Sequence, residues 1–550
     1  MKNAGVAACF AAFWLFVAPV SSFAMTAEAS ALFDRLGVKL SDADLYRVRE
    51  FYNFWHGKGE TIWPGVNVSS FPIQFVFPEK SDLLIGHSNP PKECQAAGFR
   101  MPVLEKDFCW MQDKTFMYGA MSGRVNKVPT LSVNTMDVYD YYATGIIRKS
   151  NPKADKYSKP YLLFLGELAH ETFHAFQSSE SEYLPAAARE HKPLRLTKID
   201  YPYQDEENCL LLGLEGRILA ALLDESSPES ASGLWRDFSA VRTKRHGRLP
   251  ADIVMIERLM ELKEGTAQYV GWSVQYGKND SVRPLAETLL DSRFSGYSST
   301  DTLKDIMRQS LLRLGEPSMS RWMLYVYYTG AAMSFSLDKA VPDWKNQAFR
   351  RLDGLTGGLD TVLFETVPQI KDAEDKLKSV YARYGADAMR KDISAALARD
   401  LEANSRKLEG FGASGGKHYR LIFDKARPED VVVMGPVLLT EYREKRVFEA
   451  GASKLMWIDD NWDSISEVTF SKALPLLINR KTGEADIVVP DKDFSEPKIT
   501  AGKSEKSPDG ETYSGGVEFS NGIWEWKGEW LEVGRDKGIT TLRFHAAPQK

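Results

Sequence analysis

The chain is poor in cysteine, and no two cysteines have the C-x-x-C spacing typical of cysteine-ligated zinc sites, so a site of that kind is not expected. It also lacks an excess of positive charge, with a formal net charge of −5 over 550 residues. Because nucleic-acid-binding proteins carry a basic surface, we expect no nucleic acid as partner. Beyond residue 24, no apolar run approaches the roughly 20 residues that a membrane-spanning helix requires. The sequence therefore predicts no membrane span in the mature chain.

Residues 1–24 have the pattern of a secretory signal peptide. Lys2 supplies the positive start, residues 6–20 are apolar, and Ser22-Phe23-Ala24 fits the small-x-small cleavage pattern. An uncleaved anchor is the alternative, but the apolar run is short for a span and is interrupted by Pro19. We therefore expect an exported protein, either periplasmic or secreted.

Export would permit a disulfide bond among the three cysteines that remain after the signal. Cys94 and Cys109 are close in sequence and flank a loop-like stretch, so we expect them to pair. Cys209 would then be left outside the disulfide.

Length and composition predict a soluble globular protein with more than one domain, since 43% of the residues are hydrophobic and 26% are charged. Strand-like patterns at 71–77 and 130–134 precede a mainly helical region that extends to about residue 408. A glycine-rich break at 410–416 separates it from a series of short β-type runs. The fold class is therefore α+β.

We expect a main domain over 25–408, with an N-terminal subdomain over 25–150 as an open alternative. An all-β domain, sandwich or barrel, should follow over 417–550. Helical periodicity also extends over 283–315, whereas 492–515 is rich in Lys, Ser, Glu and Gly and should form a long exposed loop.

The motif on which the function depends lies in a largely apolar segment at 162–177. It is His170-Glu171-Thr172-Phe173-His174, an H-E-x-x-H. On a helix, residues four apart share one face, so the two imidazoles can take adjacent corners of a zinc tetrahedron. Glu171 can then act as general base on a water that the metal activates. A chance match in an ordinary buried helix is the alternative.

A catalytic zinc site needs a third protein ligand and an open position. The metzincin pattern H-E-x-x-H-x-x-G-x-x-H is absent, because neither glycine nor histidine follows His174 at those places. The candidate is Glu264, in the sequence E-G-T-A-Q-Y. Gly265 and Ala267 are small, so this helix could lie close to the first and bring Glu264 to the metal.

Glu215 is the rival third ligand, because it too precedes a glycine on an apolar helix. The alternative for Glu215 is a buried carboxylate paired with Arg217 or another base. Glu257 and Glu261 either orient a ligating histidine or are solvated or structural.

Together the two motifs, H-E-x-x-H and E-G-x-A-x-Y, resemble those of the gluzincin metallopeptidases. In the aminopeptidase-N-like and glycyl-aminopeptidase-like members, a glutamate in such a context is the third zinc ligand. The resemblance implies a zincin-like catalytic domain with one Zn²⁺ on His170, His174 and Glu264, and with Glu171 as base. The interval between His174 and Glu264 is longer than is usual in those families, so an inserted helical segment at about 178–250 must be accommodated.

An oxyanion donor is also expected, and the tyrosine-rich segment at 321–332 offers Tyr327 and Tyr328. The alternative is that these tyrosines belong to an ordinary stripe of aromatic residues in the core. Gly119-Ala120-Met121 resembles the start of the aminopeptidase-N substrate motif, but Ser122-Gly123 replace the Glu-Asn that would follow. This departure weakens the aminopeptidase interpretation.

The sequence thus predicts an exported zinc metallopeptidase that acts on a peptide or protein substrate. Its C-terminal domain could bind a protein or glycan partner. Two alternatives stay open: a zinc hydrolase of a non-peptide substrate, and a non-catalytic exported binding or assembly protein with a zincin-like fold.

Overall fold

The computed structural model describes most of the chain between residues 25 and 545. The described residues are 25–77, 80–112, 120–138, 160–179, 201–225, 227–277, 279, 281–297, 302–317, 325–341, 343–351, 357–366, 373–413, 415–423, 431–434, 439–442, 445–458, 464–479, 481–489, 493, 497–507, 510–520, 524–536 and 539–545. The predicted signal peptide lies outside them. Two compact units divide the chain: 1–176 with 270–300, and 177–269 with 301–550.

The first unit contains two N-terminal helices and a six-stranded sheet. The helices are α1 (Ala27–Leu36) and α2 (Asp42–Ile62). The strands are β1 (Ile73–Phe75), β2 (Ser81–Ile85), β3 (Gln95–Met101), β4 (Lys106–Gln112), β5 (Ala120–Val125) and β6 (Val128–Val133). Their order is β3-β4-β2-β1-β6-β5, so β5 forms one edge.

Two of these strands were expected from alternation in the sequence. Segments 71–77 and 130–134 form β1 and β6, which pair in parallel with Ile73 opposite Leu131. All other pairs in this sheet are antiparallel.

The H-E-x-x-H segment forms α3 (Pro160–Ser179), which confirms the predicted helix. α3 crosses the boundary between the units, since its last residues belong to the second.

The expectation of helix over 283–315 is wrong for its first half. Over the described residues 283–297, the regular element is a short 3-10 turn, Thr288–Leu290, and the helix α8 (Thr302–Leu312) begins later. The buried carboxylate of Glu50 explains the difference. It accepts hydrogen bonds from the backbone N–H of Leu285 and from the Thr288 and Tyr297 hydroxyls, and so ties this segment to α2.

The second unit begins with helices. They are α4 (Glu206–Asp224), α5 (Pro228–His246), α6 (Ala251–Met260), a π-helical turn (Glu261–Gly265), α7 (Thr266–Tyr276), α8, α9 (Tyr325–Ala340), α10 (Trp344–Arg351), α11 (Leu359–Glu365), α12 (Ala373–Tyr384) and α13 (Ala386–Ala413). α7 crosses into the first unit at Val270.

Strands replace helices after α13, as expected from the glycine-rich break. They are β7 (Lys417–Phe423), β8 (Val431–Met434), β9 (Leu439–Tyr442), β10 (Lys445–Ile458), β11 (Ser464–Asn479), β12 (Ala485–Val489), β13 (Lys498–Thr500), β14 (Lys503–Ser507), β15 (Gly510–Ser520), β16 (Trp524–Asp536) and β17 (Ile539–His545). The predicted α+β class, with helices followed by an all-β region, is confirmed.

The C-terminal strands curl into a barrel-like sheet. β16 pairs with β11 as well as with β17, so β11, β12, β7, β17 and β16 form a closed ring of pairings. Buried aromatic side chains fill its core, including Trp524, Trp526, Phe519 and Phe544. The expected loop at 492–515 is wrong, because β13, β14 and the start of β15 lie there. The polar composition of β14 reflects exposure at a sheet edge, where charged residues oppose further pairing.

The cysteine prediction is confirmed. Cys94 and Cys109 form a disulfide, and their Cα atoms are 5.6 Å apart. Cys209 is buried on α4, and its thiol donates to the carbonyl oxygen of Tyr203 at 3.2 Å. Among the described residues, no helix has the length and apolarity needed to cross a lipid bilayer.

Candidate metal site

α3 presents a compact group of metal-ligating side chains. The Nε2 atoms of His170 and His174 are 3.1 Å apart, and the Glu171 carboxylate lies within 4.8 Å of both imidazoles. Two nitrogen ligands of a tetrahedral zinc ion, each at about 2.05 Å, would be about 3.3 Å apart. The two imidazoles thus fit a shared ion without a change of helix geometry. This group could bind a metal ion.

Glycines determine how closely α7 approaches the helix that carries His170. A Cβ added to Gly271 would lie 2.9 Å from the carbonyl oxygen of Gly166 and 3.3 Å from the Cβ of His170. A Cβ at Gly166 would overlap the side chain of Gln275 at 2.1 Å. The backbone around His170 therefore has its position only because both helices carry glycine at the contact.

The carboxylate of Glu171 is held by the edge strand of the N-terminal sheet. The backbone N–H of Ser122, in β5, donates to Glu171 Oε2 at 2.8 Å. In the ladder, Ser122 lies opposite Leu131 of β6. Since this N–H points at Glu171, it faces away from the neighbouring strand. The expected general base is thereby oriented by a backbone group at an open sheet edge.

Two further titratable side chains lie close to α3 within the first unit. Burial raises the pKa of Glu167, one turn before His170, and the charge of His170 opposes this shift. Burial, followed by the charge of Glu167, raises the pKa of Tyr276 to about 12. Burial thus disfavours the charged forms of both side chains, and Tyr276 is neutral at ordinary pH.

Glu264 lies in the π-helical turn between α6 and α7, and only 7% of it is exposed. The Lys263 ammonium is 3.2 Å from its Oε1. π-helical turns inside α-helices occur often at functional sites. Glu264 belongs to the second unit, whereas His170, Glu171 and His174 belong to the first. Its role as third ligand stays a prediction.

Gly265 serves a different contact from the one expected. A Cβ on Gly265 would lie 2.5 Å from the Cα of Gly330, so this glycine allows α9 to approach the π turn. The close approach to α3 is made instead by Gly271, in the next two turns. A small residue does lie at the contact between α3 and α7, but it is Gly271, further along the chain than the E-G-T-A-Q-Y sequence suggests.

Glu215, the rival ligand, is part of a buried charge cluster that we define as Glu215, Arg242, Arg245, Glu257 and Glu261, all fully buried. Glu215 Oε1 accepts from Arg245 Nε at 2.6 Å, and its Oε2 lies 3.2 Å from Arg242 Nε. Both carboxylate oxygens thus contact guanidinium groups. Arg217, the partner suggested by sequence proximity, instead donates to the carbonyl oxygen of Tyr384.

Glu257 and Glu261 contact the same arginines and are structural residues of this cluster. Arg245 Nη1 lies 2.7 Å from Glu257 Oε2, and Arg242 Nη2 lies 2.6 Å from Glu261 Oε1. The two arginines, with His246, hold the pKa of Glu257 well below its usual range despite burial. Burial raises the pKa of Glu261 to about 8, although Arg242 opposes the shift. With three carboxylates and two guanidinium groups, the cluster is balanced when Glu261 carries a proton.

The tyrosine candidates lie half-buried on α9, in the second unit. Burial raises the pKa of Tyr328, and the nearby Arg313 and Ser310 lower it in part. Tyr325, one turn earlier, is fully buried and donates to Glu257 Oε2 at 2.7 Å. The role of Tyr327 and Tyr328 as oxyanion donors stays a prediction.

No protein-family model matches the chain, and no curated protein or solved structure is detectably similar to it.

Proposed function

We propose that the chain is an exported zinc-dependent metallopeptidase of gluzincin type. The observation that carries the proposal is the convergence of the Nε2 atoms of His170 and His174, 3.1 Å apart, beside the carboxylate of Glu171. Two imidazoles four residues apart with an intervening glutamate form the donor set of H-E-x-x-H zinc peptidases.

We propose Glu264 as the third ligand. It stands in the sequence E-G-T-A-Q-Y, which resembles the context of the third ligand in gluzincins, and it is buried in a π turn. Glu215 is disfavoured, because removing its carboxylate from Arg242 and Arg245 would leave buried charges unpaired.

Zinc held there would supply a Lewis acid that activates water for attack on a carbonyl carbon. Glu171 would accept a proton from that water as its oxygen bonds to the scissile carbonyl carbon. The same carboxyl would return the proton to the amine as the C–N bond breaks. The N–H of Ser122 orients Glu171 for both transfers. Tyr327 or Tyr328 would donate a hydrogen bond to the oxyanion.

A peptide substrate is favoured by the position of β5. This strand is the edge of its sheet, and its Ser122 contacts the proposed base. Extended peptides bind to such edges by main-chain hydrogen bonds, which gives affinity without a strict side-chain requirement. Glu171 at this edge would then lie near a backbone carbonyl of the added strand and could take the proton of the water that attacks it.

Export is proposed from two independent features. The first 24 residues read as a cleavable signal, and the Cys94–Cys109 disulfide is of a kind that persists in oxidising compartments. The C-terminal barrel-like sheet is proposed as a binding module for a protein or glycan partner.

The experiment compares the purified mature chain with Glu171→Gln, measuring metal content and hydrolysis of an unstructured protein such as casein. We expect about one zinc per chain in both proteins, and a loss of roughly 10²–10⁴-fold in hydrolysis by the variant. Zinc without peptidase activity in either protein would favour a hydrolase of another substrate. Absence of stoichiometric zinc would favour a non-catalytic binding or assembly protein.

A further inference from the structure

The last turn of α3 contacts the π turn through one buried side chain. Gln177, three residues after His174, is only 2% exposed. Its Nε2 donates to the carbonyl oxygen of Lys263 at 3.0 Å and to Thr266 Oγ1 at 3.1 Å. These two partners flank Glu264 in the sequence. One amide therefore binds a backbone carbonyl before the proposed third ligand and a side-chain hydroxyl after it.

The π turn depends on such side-chain bonds for its shape. Its widened backbone departs from the regular α-helical hydrogen-bond pattern, which makes π turns rare. Thr266 Oγ1 donates to the carbonyl oxygen of Leu262 at 2.5 Å, so this hydroxyl links Gln177 to a second carbonyl of the turn. Gln177 and Thr266 thus bind two carbonyl groups within the turn.

The opposite side of the turn is fixed by α9 and the buried charge cluster. Thr329 Oγ1 donates to Glu261 Oε1 at 2.5 Å, and Gly330 lies against Gly265. Glu261 in turn contacts Arg242. On the other side, Gln177 of α3 binds the Lys263 carbonyl and the Thr266 hydroxyl, so the turn is held by contacts on both sides.

We infer that Gln177 is a positioning residue, which fixes the backbone of the π turn that carries the Glu264 carboxylate. The inference rests on the proposed role of Glu264 as third zinc ligand. Partners that orient a metal ligand without touching the metal typically contribute 10–100-fold to affinity. Gln177 would do so through the backbone that carries the ligand.

The test measures zinc affinity of the full mature chain by competition with a chelator, for wild type, Gln177→Met, Glu264→Gln and the double variant. Methionine keeps the volume of glutamine but has no N–H donor. We expect Gln177→Met to weaken zinc binding 10–100-fold. In the Glu264→Gln background the same change should have less than a twofold effect, because the ligand that it positions is gone.

Gln74→Met is the matched control. Gln74 is also a buried glutamine, with 4% exposure, and its Nε2 donates to Asp82 Oδ2 at 2.8 Å. It lies on β1 and contacts none of the residues proposed to hold zinc in the hydrogen bonds described. We expect a loss of thermal stability but zinc affinity within twofold of wild type.

A second readout does not need metal. In the zinc-free chain, backbone amides at 261–268 should exchange with deuterium faster in Gln177→Met than in wild type or Gln74→Met. Gln177→Asn, which keeps the amide but shortens its reach, should act in the same direction if the methionine variant folds poorly.

Three results would overturn the inference, and they are distinguishable. Zinc affinity unchanged in Gln177→Met but lost in Glu264→Gln would leave the proposed function standing and remove the role of Gln177. Equal losses from Gln177→Met in both backgrounds would show that it acts elsewhere. Unchanged affinity in Glu264→Gln would remove the third ligand itself, and the inference with it.

Discussion

The backbone N–H of Ser122 donates to the carboxylate of Glu171, 2.8 Å away, and so joins the edge strand β5 to the H-E-x-x-H helix. The bond uses no side chain of Ser122. The proposed base is therefore oriented by a feature that any residue except proline could supply.

Ser122→Pro removes this donor and leaves the ladder to β6 largely intact, because the N–H points away from β6. We expect unchanged zinc content and a fall of about 10–100-fold in casein hydrolysis, as for loss of an orienting partner. Ser122→Ala is the control and should keep wild-type activity. Equal activity in both variants would show that the bond does not matter for catalysis.

Gly271→Ala tests the close approach of α7 to α3. Its methyl group would meet the carbonyl oxygen of Gly166 at 2.9 Å and the Cβ of His170 at 3.3 Å. We expect a loss of about 1–3 kcal/mol in unfolding free energy, with weaker zinc binding. Gly233→Ala on α5 has open space around the new methyl and should instead stabilise the chain by roughly 0.5–1 kcal/mol. Chemical denaturation measures both, and equal changes would contradict the proposed packing role.

Arg245→Met tests the buried charge cluster. The variant removes one of the two buried guanidinium groups that contact the carboxylates of Glu215 and Glu257 and leaves Arg242 beside both. Removing one partner of a buried pair typically costs about 3–5 kcal/mol. The control is Arg248→Met, whose ion pair with Asp205 is 40% exposed on both sides and should contribute about 0–1 kcal/mol. A loss below 1 kcal/mol in Arg245→Met would show that the cluster is dispensable.

Glu261→Gln should alter the dependence of stability on pH. Because the folded pKa of Glu261 is raised from 4.5 to about 8, the folded chain binds an extra proton between these values. Stability of the wild type should therefore fall, relative to Glu261→Gln, as pH rises from about 4.5 to 8, and then level off. Urea denaturation of both proteins at roughly pH 5, 6.5, 8 and 9 follows this difference through the range in which stability should fall and beyond it. A difference independent of pH would contradict protonation of Glu261.

Reduction of the Cys94–Cys109 disulfide should destabilise the first unit. The bond closes a loop with a sequence separation of 15, for which chain entropy predicts about 3 kcal/mol. Thermal unfolding with and without dithiothreitol measures the effect. Cys209→Ala, which leaves the disulfide intact, should respond to reductant as the wild type does. A melting temperature that does not change on reduction would contradict this prediction.

The sequence was sufficient for elements with strong periodicity. The apolar segment around His170 predicts α3, and the alternation at 71–77 and 130–134 predicts β1 and β6. The glycine-rich break was placed slightly early, since α13 continues to Ala413 before β7 begins at Lys417. Helix propensity failed at 283–297, where Glu50, far away in sequence, binds the backbone and hydroxyl groups.

Only those parts of the site that consist of particular side chains at a fixed sequence spacing could be predicted from the sequence. His170, Glu171 and His174 were found in this way. The bond from the N–H of Ser122 cannot be predicted from residue type, because every residue except proline has this group. The close approach at Gly271 could not be predicted either, because the chain has many glycines and nothing in the sequence distinguishes this one. Gln177 lies three residues past His174, yet its partners are fixed by the fold and not by spacing. The partners of Glu215 likewise lie on a different helix from Arg217.

The π turn determines how its helix tolerates a change of length. It adds about one residue between Glu261, which contacts Arg242, and Gly271, which contacts α3. Deleting Leu262 would restore a regular α-helix and leave the later residues, including Gly271, on nearly the same face, because the widened turn absorbs the extra residue. A deletion in the regular part of α7 before Gly271 would instead rotate every later residue by about 100° and turn Gly271 away from Gly166. Loss of one codon in the π turn should therefore be less damaging than loss of one codon in the helix that follows it.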